Sequence, residues 1–155
     1  MRALQRVVLI CGLALLITDV AAQQHPAVTQ ENAGTDLEQI HGYMKRTWHS
    51  HEHPLTLGPT QIAGDFAVAD WWHQGKGGRA VFKRHNQHWQ LILCGGAGIL
   101  QSALWQQLGM TPAAAADFVR ALQHAEQAVS ATDKALLDAF GATVNMHAGD
   151  APQQH

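Results

Sequence analysis

The segment from Leu55 to Gly95 constrains the fold most, because its apolar residues alternate and turn residues recur at strand-length intervals. Leu57 to Ile62 and Phe66 to His73 read as strands separated by Ala63-Gly64-Asp65, a turn signal. A Gly-rich break, Gly75-Lys76-Gly77-Gly78, precedes a hairpin centred on Asn86-Gln87. Setting His85 opposite His88 also sets Arg84 opposite Trp89, Phe82 opposite Leu91 and Ala80 opposite Leu93. The large apolar groups then share one face, and a slip of one residue would scatter them. The same register places Arg79 opposite Cys94.

Helical patterns flank this block. Thr35 followed by Glu38 has the form of a capping box, and Leu37, Ile40, His41, Met44 and Trp48 fall at helical spacing on one face. Pro54 lies beyond that helix. After Gly95-Gly96, Ile99 to Leu108 is expected to form one helix stopped by Gly109. Thr111-Pro112 opens the next, with proline at its first position, and Phe118, Leu122, Ala125 and Val129 continue it as one stripe. Asp133 to Phe140 makes a last short helix ending at Gly141. The expected fold class is α+β: an N-terminal helix against a curved antiparallel sheet of about four strands, cystatin-like or NTF2-like, followed by C-terminal helices.

The N-terminus reads as an export signal. Arg2 and Arg6 supply a positive start, Val7 to Ile17 is apolar, and Val20-Ala21-Ala22 offers a small-residue cleavage site. The apolar run is too short to span a bilayer, and no later segment is long enough. The division expected is a signal peptide over 1–22, a flexible arm over 23–34, one domain over 35–144 and a mobile Met/His tail over 145–155. The leader takes two of the ten basic and one of the twelve acidic residues, which leaves eight against eleven, a net charge of −3 with His neutral. That balance argues against nucleic acid or an anionic membrane as partner. The mature part keeps a single cysteine, Cys94, so it can form no internal disulfide.

Histidine is the compositional outlier, with eleven in 155 residues. Imidazole is the commonest metal-ligand side chain, and thioether suits Cu(I). Cleavage after Ala22 would expose Gln23-Gln24-His25, whose amine, two backbone amides and third-position imidazole give the four-nitrogen square plane favoured by Cu(II). His49-Ser50-His51-Glu52-His53, if extended, points His49, His51 and His53 to one side. It is no zinc-protease helix, since the four-residue His spacing is missing and Pro54 follows. His85 and His88 are cross-strand neighbours in the hairpin register and could share an ion. Cys94 beside Arg79 would favour the thiolate, a nucleophile and soft-metal ligand, unless it is simply a small core residue. Met146-His147 in the tail pairs thioether with imidazole. His41, Met44, Met110 and the tryptophans read as packing residues, and Asp65 and Asp70 as sheet residues without a catalytic role.

Taken together, Gly64-Asp65-Phe66-Ala67-Val68-Ala69-Asp70-Trp71, Gln74-Gly75, Gly77-Gly78-Arg79-Ala80, Trp89 and Leu93-Cys94-Gly95-Gly96 resemble the small periplasmic copper uptake system-associated proteins. Ala125-Glu126, Phe140-Gly141 and Val144-Asn145-Met146-His147 extend the resemblance over roughly residues 35–147. Val81-Phe82 stands where leucines are expected and Asp70 where glycine is. The resemblance implies a role beside periplasmic copper chaperones and outer-membrane copper importers, and it supplies no ligand residues. The expectation is a periplasmic accessory protein that binds copper, as Cu(I) or Cu(II), and is not an enzyme. Two alternatives stay open: a small enzyme with a reactive Cys94, and a metal-independent interaction module.

Overall fold

The computed structural model describes residues 30–141 together with 144 and 145. Two turns of two residues set most of the sheet. Gln74 (φ 51°) and Gly75 (φ 70°) join His73 to Lys76, and Asn86 (φ 46°) and Gln87 (φ 65°) join His85 to His88. Left-handed backbone at both central residues matches the twist of the strands it connects, so each turn locks its register.

Helix α1 (Gln30–Trp48) is followed by β1 (Thr56–Ala63), β2 (Phe66–His73), β3 (Lys76–His85) and β4 (His88–Gly95). A 3-10 turn (Ala97–Leu100), α2 (Ser102–Gln107), α3 (Pro112–Ala125), a second 3-10 turn (Glu126–Ala128), α4 (Ala131–Ala139) and the two-residue β5 (Val144–Asn145) complete the order. The sheet runs β1-β2-β3-β4-β5, antiparallel throughout. The α+β order read from the sequence is therefore present, with four full strands between one helix and the C-terminal helices. Among the described residues no helix is long and apolar enough to cross a membrane.

The expectation of one apolar sheet face does not hold: both faces are covered. On one, Ile40 and Met44 of α1 pack on Ala67, Ala69, Ala80, Phe82, Trp89 and Cys94. The three alanines let the helix approach closely. On the other, Trp105 of α2 and Phe118, Val119 and Leu122 of α3 pack with Ile99 on Phe66, Val68, Val81 and Leu93. Residues from Phe66 to Asp70 and from Gly77 to Phe82 are consequently buried without alternation.

The hairpin register holds from the turn as far as Phe82 opposite Leu91 and then shifts. Val81, not Ala80, faces Leu93, with Ile92 the extra residue on β4. Leu91 and Leu93 are two apart and would share a face in a regular strand. The bulge sends Leu91 toward α1 and Leu93 toward α2 and α3. It also moves Cys94 opposite Ala80 and Gly95 opposite Arg79, which undoes the expected Arg79–Cys94 pair.

Several helix boundaries also differ. The first helix already includes Gln30, so Thr35 sits inside it and is not its cap, and residues 30–34 are helical. The segment expected as one helix over Ile99 to Leu108 is broken at Gln101, whose backbone is extended (ψ 120°). Thr111 caps α3 as expected, its hydroxyl accepting the Ala114 N–H. That helix ends at Ala125, and Val129 lies beyond it in extended backbone. Ser130 caps α4 by accepting the Asp133 N–H.

A buried polar cluster helps to dock α1, alongside the His41–Thr60 contact with β1. Arg84 Nη1 and Nη2 donate to Asp36 Oδ1 and Oδ2 at 2.8 and 2.5 Å, and Trp89 Nε1 donates to Asp36 Oδ1 at 3.0 Å. The guanidinium carbon lies 4.3 Å from the centre of the Trp89 ring. Burial alone would raise the Asp36 pKa, but the Arg84 and Trp89 hydrogen bonds hold it below the usual carboxylate value. Removing the carboxylate leaves an indole N–H and part of a guanidinium unanswered. Asp36→Ala is expected to cost about 2–4 kcal/mol in urea denaturation. A loss within experimental error of zero would mean that the Asp36 cluster does not seat the helix.

Candidate functional site

The most polar part of the interior lies where the sheet meets the C-terminal helices. Asp70 on β2 and Arg79 on β3 are cross-strand partners, 2% and 0% exposed. Arg79 Nε and Nη2 donate to Glu126 Oε1 and Oε2 at 2.7 and 2.8 Å, a bidentate pair, and Nη2 also donates to Asp138 Oδ1 at 2.9 Å. Lys134 Nζ reaches Glu126 Oε2 at 2.9 Å and Asp138 Oδ2 at 3.3 Å from the solvent side. Among the described residues two buried side-chain atoms, Asp70 Oδ2 and Arg79 Nη1, have no hydrogen-bond partner. Burial favours neutral Glu126, yet the hydrogen bonds from Arg79 and Lys134 outweigh it and lower its pKa. Asp70 accepts no such bond from Arg79. Burial pushes its pKa up to about 7, helped by the Glu126 and Asp138 charges and opposed by Arg79 and Lys134. Of this group Lys134 and Asp138 reach the surface, while Arg79, Glu126 and Asp70 are enclosed and brace the sheet against the C-terminal helices.

Cys94 does not sit in the basic setting expected of it. It is 6% exposed under α1, and the guanidinium of Arg79 is engaged by Glu126 and Asp138. Burial pushes the Cys94 thiol up to about 12, the opposite of activation.

The histidines lie at the ends of the elements. The 49–53 segment is not extended: Ser50 N–H donates to the His53 carbonyl at 3.1 Å, and His53 N–H donates to Ser50 Oγ at 3.0 Å. This closed turn removes the premise that His49, His51 and His53 point to one side. His49 Nδ1 accepts the Leu55 N–H at 3.1 Å, while the His51 and Glu52 side chains are exposed. The His53 ring instead stands edge-on to His73 at the end of β2, 6.3 Å between centres. His85 and His88 are opposite one another as expected, and both are exposed. His41 Nε2 lies 2.9 Å from Thr60 Oγ1, and burial, then the Lys45 charge, lowers its pKa. Met44 is fully buried and Met110 packs beside α3, as packing residues should. Among the described residues no three His, Cys, Asp or Glu side chains gather as a metal cage. Gln23, Gln24, His25, Met146 and His147 lie outside the described residues.

At the same end of the sheet as His73, an open cleft of about 430 Å³ is lined by Gly75, Lys76, Gly77, Leu136, Ala139, Phe140 and Gly141. Gly77 and Gly78 make room for the neighbouring aromatics. A Cβ would stand 2.8 Å from the Trp72 ring at Gly77, and 2.9 Å from Trp71 at Gly78. The Gly-rich stretch is thus mostly strand.

Sequence reasoning missed His73, Asp70 and Glu126. His73 carried the weak signal of closing a strand beside a turn. For Asp70, an acidic residue inside the run Phe66-Ala67-Val68-Ala69-Asp70-Trp71 was the available sign of a buried charge. Glu126 carried no local signal. No protein-family model, curated protein or solved structure matches the chain.

The Asp70 pKa has a consequence for stability. The folded protein keeps a proton on Asp70 up to about pH 7, whereas the unfolded chain releases it near its ordinary value of 3.8. That contribution is complete below the unfolded value and is lost as pH rises through the folded one. Glu126, Asp138 and Asp36, all lowered, act oppositely and lose their contribution as pH falls. Stability should therefore peak at mildly acidic pH. In Asp70→Asn the decline between pH 5 and 7 should be shallower by on the order of 1 kcal/mol per pH unit in urea denaturation. An unchanged slope would show Asp70 to be ionised in the fold.

Proposed function

We propose that this chain is an exported, periplasmic copper-binding accessory protein that captures or relays copper in copper uptake or homeostasis and turns over no substrate. The supporting observation is where the donor groups lie. His51, His53, His85 and His88 are exposed at turns, whereas Cys94 is enclosed in the core with a raised pKa. A carrier needs ligands that its donor and acceptor can reach, and imidazoles at turns meet that need. A thiol enzyme needs the reverse arrangement, an accessible sulfur of low pKa. Cys94 is accordingly left out of the copper route.

The resemblance to copper uptake system-associated proteins points to the same role. It makes a periplasmic copper chaperone or an outer-membrane importer the partner to expect. On this reading Gln23-Gln24-His25 holds Cu(II), and Met146-His147 accommodates either oxidation state. The scaffold is read as cystatin-like or NTF2-like, with α1 across the sheet and α2 and α3 added on its other face.

The mature chain beginning at Gln23, titrated with Cu(II) against a competing chelator, should bind copper and develop the visible band of a square-planar nitrogen site. His25→Ala should remove that band. Failure to retain either Cu(II) or Cu(I) would sink the copper reading, and selective alkylation of Cys94 in such a protein would favour the enzyme.

A further inference from the structure

We infer that His53 and His73 form an open, two-imidazole site for a borderline divalent cation, Cu(II) above all, an inference that rests on the copper reading above. Three observations carry it. The first is convergence: the loop after α1 and the end of β2 bring the two rings to 6.3 Å between centres although twenty residues separate them. An ion bound at about 2.0 Å by one nitrogen of each ring would hold the centres about 4.5–6.3 Å apart. The observed spacing lies at the outer end of that range, and His53 is exposed.

The second is the tautomer. His73 Nε2 lies 3.3 Å from the His53 backbone carbonyl, and a carbonyl oxygen only accepts, so Nε2 carries the proton. The lone pair of His73 is then on Nδ1. A ring fixed by donating its other N–H to a backbone carbonyl is the usual arrangement behind a metal-ligating histidine.

The third is the contrast with His49. Its Nδ1 accepts the Leu55 N–H, which commits the one lone pair of the neutral ring to the backbone. His49 therefore braces the loop and is not a ligand. The loop contributes His53, and β2 supplies the partner that the sequence spacing had assigned to His49. Two protein ligands leave coordination positions for water or for a group from a donor or acceptor protein. Cu(II) stands above Ni(II) and Zn(II) at such a nitrogen site.

The test is amide NMR of the mature chain carrying His25→Ala, with substoichiometric Cu(II) added as a paramagnetic probe. Amides of residues 51–53 and 73–75 should broaden together. His73→Ala should abolish broadening in both segments and leave the rest of the spectrum in place. His85→Ala should change neither segment. Broadening at 51–53 that persists in His73→Ala would overturn the paired site while leaving copper binding intact. A mature chain with His25 intact that retains no copper in the chelator competition would overturn the copper reading itself.

Discussion

A guanidinium with no exposed surface must be answered by the protein around it, and the answer given to Arg79 arranges the C-terminal half of the chain. Removing such a charge from water is tolerable only when its donors are met by carboxylates in good geometry. Glu126 meets two of them, and it does so from a 3-10 turn begun immediately where α3 stops. Ser130 then caps α4, whose Lys134 and Asp138 close the cluster on its outer side. On β4 the residue opposite Arg79 is Gly95, which contributes no side chain to that position. The position of α4, the end of α3 and the register of β4 are all consistent with this one buried cation.

Asp70 is the part of the arrangement left unanswered. It lies beside Arg79 on the neighbouring strand, yet Arg79 directs its hydrogen bonds to Glu126 and Asp138, and Arg79 Nη1 bonds to nothing. On β1, Gly58 and Pro59 together oppose this single residue, since pairing passes from Leu57–Trp71 to Thr60–Ala69. The bulge and the bulk of Trp72 against Gly58 close Asp70 off from the β1 side. With a proton on Asp70, two cations face two carboxylates and the cluster is neutral. Burial is the main reason that the Asp70 pKa is raised, and the Glu126 and Asp138 charges add to it.

How much of this was legible depends on whether a feature is local. The turn at Asn86-Gln87, the cap at Thr111 and the pairing from His85 to Phe82 depend on residues close in the chain, and they could be read. The bulge at Ile92 could not, because its cause lies in two separate packing layers. Leu91 belongs to the layer under α1 and Leu93 to the layer under α2 and α3, and only the assembled fold distinguishes them. That single residue moved Arg79 away from Cys94, and burial under α1 makes the thiol harder to ionise. The histidine reading failed for a related reason. Period-two spacing implies convergence only in extended backbone, and Ser50 closes the 49–53 segment into a turn.

The fold thus separates its polar groups into two kinds. Those in the interior are satisfied by salt bridges or held neutral, and they fix the relation of the helices to the sheet. Those at the turns include imidazoles, of which His49 and His73 are held by backbone hydrogen bonds. On the copper reading proposed above, the separation suits transfer better than storage, because a carrier must release its ion. A pair of imidazoles would leave positions at which an acceptor could add a ligand before the first partner lets go, so that exchange would not require the free ion. Such a site would need an oriented ring, which the His53 carbonyl gives His73, and a scaffold that stays fixed while the ion leaves. The buried cluster around Arg79, far from the turns in chemistry though joined to them through β2 and β3, supplies that fixity.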